Sequence, residues 1–143
     1  MNHVYTPNQA IEFGLLVTLI GRESRGQTYN AKLGVAWSVR NRVIRPAWWG
    51  TGWMSVLTKK AQYTSMEPPS GKDPNLTVYP DLVSPAWQEC IQVAEVAYWG
   101  DGTDPTMGAD HYFDKSLDDN PPNWATALVH TCDIDALRFF RTP

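Results

Sequence analysis

Apolar residues recur at helical spacing three times along the chain. Between residues 7 and 24, Ile11, Phe13, Leu15, Leu16, Val17, Leu19 and Ile20 cover most of a helix circumference. Such a pattern predicts a central helix buried on nearly every side. Thr6-Pro7-Asn8-Gln9 starts it, with threonine at the N-cap, proline at the first helical position and glutamine completing a capping box. Gly26 is the expected stop. A second helix is predicted over 30–44, with Leu33, Ala36, Trp37, Arg40 and Ile44 in one stripe and Val35, Val39 and Val43 in another. Pro46 ends it. Ser84-Pro85 opens a third helix, which carries Trp87, Cys90, Ile91, Ala94, Ala97 and Tyr98 on one face and closes at Gly100.

Residues 46–83 break this rhythm and are expected to be mostly loop. Trp48, Trp49 and Trp53 crowd its start, a short helix is expected over 54–60, and the proline- and glycine-rich stretch 67–75 reads as a surface excursion. So long an irregular connection in a compact domain is more often functional than idle. Toward the C-terminus the period shortens. His111-Tyr112-Phe113 and Arg138-Phe139-Phe140 suit two short strands that pair with each other, and 124–128 suits one or two helical turns. The expected class is α+β, mainly helical with a small β element, in a single domain over 1–143.

Charge and cysteine usage narrow the function. The net charge is −3 with no basic block, which argues against nucleic acid as a partner. No apolar run reaches the roughly 18 residues of a membrane span, and the first residues do not form a signal peptide. Cys90 and Cys132 are expected to be two thiols rather than a disulfide. Seven tryptophans are many for this length; most suit core filling, and a few suit a sugar-binding groove, since indole faces stack well on pyranose rings.

Phosphate-loop, nucleophile-elbow and His-Glu-x-x-His motifs are absent. His130 and Cys132 lack a third metal ligand at recognisable spacing, so no metal or other cofactor is expected. Glu23 stands out instead. On a helix it shares a face with Leu16, Leu19 and Ile20, and it sits where the helix dipole disfavours negative charge. Desolvation and dipole both raise its pKa, as a general acid requires. The competing reading is an ordinary glutamate at a helix end, salt-bridged to Arg22 or Arg25.

Four segments in order resemble the SleB-like cell-wall hydrolases. Glu23-Ser24-Arg25-Gly26 is followed by Gly34-Val35-Ala36 and Asn41-Arg42-Val43, similar to the family's glutamate, glycine-bounded turn and "G-x-V-A … N-R-V" helix. Gln62-Tyr63-Thr64-Ser65 resembles its "Q-F-S" segment, and 104–112 its "D-P-T-x-G-A-x-x-Y". Trp124 and then 134–140 resemble the closing "I-G-x-H-x-F-Y", with Asp135 and Leu137 in place of the glycine and histidine and Phe140 in place of the terminal tyrosine.

The resemblance implies a lysozyme- or lytic-transglycosylase-like fold, peptidoglycan glycan strands as substrate, and cleavage of the β-1,4 bond between N-acetylmuramic acid and N-acetylglucosamine. Glu23 matches the catalytic glutamate. By analogy Gln62, Tyr63 and Thr64 contact the sugar or orient Glu23, His111 and Tyr112 line the opposite wall, and Trp48, Trp49 or Trp53 forms a stacking platform. Asp101, Asp104 and Asp110 are the candidates for a second carboxylate, Asp104 first among them. The alternatives are a lysozyme-type muramidase, an amidase or peptidase acting on the peptide stem, and a non-catalytic wall-binding or virion module. A lone monomeric catalytic domain without a leader suits a phage lysin released through a holin or borne on the virion. Export of a bacterial enzyme by another route is the other expectation.

Overall fold

The computed structural model describes residues 3–60, 62–67 and 71–143. Helix α1 spans Pro7–Ser24 and starts in the expected capping box: the Thr6 side chain accepts from the Gln9 N–H, and the Gln9 side chain accepts from the Thr6 N–H. Helix α2 spans Tyr29–Ile44 behind a Thr28 N-cap, and α4 spans Pro85–Trp99. Between them α3 covers Gly52–Leu57, slightly earlier than the expected 54–60. Within the stretch read as a surface excursion, residues 68–70 lie outside the described residues, and Pro74–Thr77 makes a 3-10 turn.

The central position belongs to α2 rather than to α1. Only the C-terminal half of α1 is buried, through Leu16, Val17, Leu19, Ile20, Gly21 and Ser24, while Ile11 stays exposed. Helix α2 buries Val35, Ala36, Trp37 and Val39 and also Lys32, Ser38, Asn41 and Arg42. Lys32, Ser38 and Asn41 are buried with hydrogen-bond partners, so α2 is buried beyond its apolar stripes. Lys32, 2% exposed, donates to Glu89 on α4 at 2.7 Å. Asn41 Nδ2 donates to Asp104 Oδ2 and to the Ala109 carbonyl, each at 2.8 Å.

Two glycines set the packing distances. A Cβ on Gly21 would lie 2.0 Å from Trp87, so α1 touches α4 two residues before Glu23. A Cβ on Gly34 would lie 2.6 Å from Phe139, so α2 presses on the sheet. Gly26, by contrast, is not left-handed: α1 ends at Arg25 in ordinary helical geometry.

The sheet has three antiparallel strands in the order β1-β3-β2: β1 His111–Asp114, β2 Val129–Ile134 and β3 Leu137–Arg141. The two aromatic triplets pair as expected, with His111 opposite Phe140 and Tyr112 opposite Phe139. Strand β2 is not evident in the sequence. It is a mostly exposed edge with a bulge between His130 and Cys132, so it carries no alternating apolar face. Asp135 turns the β2–β3 hairpin at φ 50, at the position where the resemblance expects glycine. The expected helical turns near 124–128 are a 3-10 turn, Asn123–Thr126. Cys90 and Cys132 are unpaired. Among the described residues, no helix is long and apolar enough to cross a membrane.

Candidate active site

The last turn of α1 delivers Glu23 to one wall of an open groove of about 800 Å³. Arg42 of α2 joins that wall, and Trp48, Gln62, Tyr63 and Thr64 come from the irregular stretch that follows. His111, Tyr112 and Phe113 of β1 line it too, with Leu117, Pro122, Trp124, Leu128 and Thr142. Glu23 is the only carboxylate among the described residues that line the groove. A second cavity of about 530 Å³ lies behind Tyr63, lined by Thr58, Lys59, Lys60, Met66, Glu67 and Gly71. It lacks the acid with the raised pKa, so the chemistry belongs to the groove.

Neither flanking arginine pairs with Glu23. Arg22 turns away to donate to the Val78 carbonyl at 2.7 Å and the Ser65 carbonyl at 2.8 Å. Arg25 donates to the Gly21 carbonyl at 3.2 Å and to Asn75 Oδ1 at 3.1 Å. The Tyr112 hydroxyl instead donates to Glu23 Oε1 at 3.1 Å. Burial raises the Glu23 pKa above its ordinary 4.5; Tyr112 and the nearby Ser65 hydroxyl hold it back, and the charge of Asp73 adds to the rise. Ser65 is fully buried beside the carboxylate but reaches no aligned hydrogen-bond geometry with any described residue. The Tyr112 hydroxyl is itself held protonated, first by burial and then by the charge of Glu23.

The candidates for a second carboxylate lie elsewhere. Asp101 meets His3 at 2.9 Å. Asp104 organises the 104–108 turn, accepting from Thr106 N–H at 2.8 Å, Thr106 Oγ1 at 2.7 Å and Gly108 N–H at 2.9 Å. Asp110, 2% exposed, holds His111 Nδ1 at 2.7 Å and accepts from the Thr142 N–H and hydroxyl at 3.1 Å. All three have structural work that a short polar side chain at a turn or strand end performs well.

Gln62, Tyr63, Thr64, His111 and Tyr112 are thus gathered around Glu23, whereas Trp53 is not. Its ring packs on Tyr98, 4.8 Å between centroids, as part of the core surround. The reason is the early start of α3, which turns position 53 inward. Trp49 is buried too, its Nε1 donating to the Arg42 carbonyl at 2.8 Å. Trp48 alone of that cluster stays 52% exposed at the groove.

Sequence reasoning missed Arg42 and Asp73. Arg42 had a readable signal, since it follows buried Val39 by three residues and Val35 by seven and so shares their face. Asp73 had none: only folding brings the turn-rich stretch beside Glu23. There its Oδ2 accepts from Thr64 Oγ1 at 2.7 Å, and the Asn75 N–H leads the bonds that hold its carboxyl below the ordinary range.

Comparison with known proteins bears on the fold and the family. The structure superposes on the catalytic domain of the germination-specific lytic transglycosylase SleB from Bacillus anthracis with a TM-score of 0.66 and 21% identity, covering 99% of this chain and 100% of that one. That likeness establishes the fold, the lysozyme-like α+β arrangement of helices around a small antiparallel sheet. No curated protein sequence matches the chain. The cell wall hydrolase family profile matches residues 26–140, beginning three residues after Glu23 and taking in α2, the Gln62–Ser65 segment and the sheet as far as Phe140. With most of its length matched, the chain belongs to the cell wall hydrolase family.

Proposed function

We propose that the protein cleaves the β-1,4 bond between N-acetylmuramic acid and N-acetylglucosamine in peptidoglycan as a lytic transglycosylase, with Glu23 as its single acid/base. The observation that carries this reading is the state of Glu23: half-buried on the groove, its pKa raised by burial, free of its flanking arginines and held by Tyr112. Protonated Glu23 donates to the bridging oxygen as the bond to the muramyl anomeric carbon breaks. Glu23, now a carboxylate, takes the proton of the muramyl 6-hydroxyl, whose oxygen closes on the same carbon. The product is a 1,6-anhydro end, and the acid is regenerated without water. A single carboxylate on the groove fits this route, whereas the usual hydrolytic routes need two flanking the bond.

One observation favours a second reading, lysozyme-type hydrolysis of the same bond: the charge of Asp73 reaches Glu23. Mass spectrometry of fragments from purified wall separates the two. Anhydro-muramyl ends are expected, and reducing ends would transfer the assignment to a muramidase using Asp73. Unchanged lysis by Glu23→Gln would remove Glu23 from the chemistry altogether. In this reading the enzyme is a phage endolysin or virion-borne lysin that meets the wall after release.

A further inference from the structure

His111 offers the groove a lone hydrogen-bond acceptor among aromatic rings. It is 8% exposed, and its ring lines the groove from the start of β1. Nδ1 lies 2.7 Å from Asp110 Oδ1. Asp110 is fixed in turn by the Thr142 N–H and hydroxyl, and its carboxyl is held below the ordinary range. An ionised carboxylate only accepts, so Nδ1 carries the proton, and in the neutral imidazole Nε2 keeps its lone pair. Nε2 has no partner among the described residues, yet it is not sealed from solvent. Because the ring lines the groove, that nitrogen is offered there. Apolar surface flanks it. The Trp124 and Trp48 rings lie 4.8 Å and 6.1 Å from the imidazole, between centroids, and line the same groove with Pro122 and Leu128.

A fixed acceptor beside apolar surface suits a ligand group that presents one donor beside a methyl. A sugar hydroxyl matches poorly, since it brings no apolar surface of its own. A secondary acetamide matches on both counts. Its amide is planar and trans, so the N–H and the methyl point to one side and the carbonyl to the other. On the proposed peptidoglycan reading, on which this inference rests, every sugar of the strand carries such a group at carbon 2. We propose that His111 and Trp124 form the subsite for a 2-acetamido group, with His111 Nε2 accepting its N–H and the indole covering its methyl. Asp110 serves the subsite by fixing the tautomer. The substrate is then selected by N-acetylation, and a reaction that removes acetyl groups from the strand withdraws it.

The test uses the full-length Glu23→Gln protein, which lacks the acid and keeps the groove. Calorimetry compares two neutral tetrasaccharides, chitotetraose and cellotetraose, which carry acetamido and hydroxyl groups at carbon 2. Chitotetraose is expected to bind about tenfold more tightly, as for one hydrogen bond with its apolar contact. Adding His111→Asn keeps an N–H for Asp110 but removes the acceptor, and should erase most of that preference where circular dichroism shows the variant folded. Nitrogen-15 resonances of the His111 ring at pH 7 give a second measurement that leaves the residue in place. They should show Nδ1 protonated and Nε2 bare, with the Nε2 signal moved by chitotetraose and not by cellotetraose. Equal affinity for the two sugars, binding of neither, a preference that survives His111→Asn, or an Nε2 that is protonated or unmoved overturns the inference. If the wild-type protein still releases anhydro-muramyl ends from purified wall in that event, only the acetamido subsite fails and the proposed function stands.

Discussion

Glu23 is half-buried on the groove and Asp110 is buried just before β1, and the fold treats them in opposite ways. Asp110 is surrounded by donors. Burial pushes its pKa up, but the bonds from His111 and from the Thr142 N–H and hydroxyl outweigh it and hold the carboxyl below 3.8. Glu23 receives one aligned donor, from Tyr112, with the Ser65 hydroxyl nearby, and burial prevails. The first acid is ionised and fastens the C-terminus to β1. The second has its pKa raised, the direction a general acid needs. The two acids differ in the donors aimed at them: three bonds reach Asp110, and one aligned bond reaches Glu23.

The largest effect should come from erasing the reactive member. Glu23→Gln is expected to cut wall lysis by about a thousandfold, within the usual range for a general acid, as read by turbidity loss of purified wall. It should also stabilise the protein at neutral pH. The folded chain binds the Glu23 proton more tightly than the unfolded one, so ionisation opposes folding. That cost is absent below pH 4.5 and grows as pH rises through the folded value. A melting-temperature gain that appears only above that pH would confirm it; a gain of equal size at all pH would refute the linkage.

Asp110→Asn attacks the structural member. It replaces a carboxylate that accepts from three groups by an amide that suits fewer, and should cost about 2 kcal/mol in denaturant melts at pH 7. Here the sign is reversed. The folded pKa lies below the unfolded one, so the contribution is present above pH 3.8 and is lost as pH falls through the folded value. Wild type and variant should converge in acid.

Smaller changes sharpen the contrast at Glu23 itself. Tyr112→Phe removes the bond that lowers the Glu23 pKa. The alkaline limb of the pH–rate profile should therefore move to higher pH, with activity down by about tenfold from lost orientation. The least effect is expected from Asp73→Asn. Removing its charge lets Glu23 ionise sooner, so the alkaline limb moves to lower pH with little change in the plateau. Movement in the other direction would show that Asp73 does not act on Glu23 through its field.

Most of the helical frame was legible in local chemistry. The Thr6 capping box, the Ser84-Pro85 start and the apolar spacing of α4 are signals carried within a few residues, and each element formed where they point. The pairing of the aromatic triplets was legible for the same reason. Strand β2 was not, because an exposed edge strand needs no apolar face and takes its identity from its hydrogen-bonded neighbour. Trp53 went astray because a shift in where a short helix starts rotates a side chain from groove to core.

By itself, the sequence determined which residue types the site has to work with. It placed a carboxylate on an apolar helix face near the dipole's negative end, and it put Gln62–Thr64 and His111–Tyr112 in segments that resemble a known site. Only the tertiary structure decided what each charge does. Arg22 and Arg25 lie within two residues of Glu23, yet they spend their donors on carbonyl oxygens and an amide more than forty residues away or back along the helix. Asp73, fifty residues on in the chain, lies close enough to act on it. Electrostatic energy depends on separation in space and on shielding from water, and neither is a property of position along the chain.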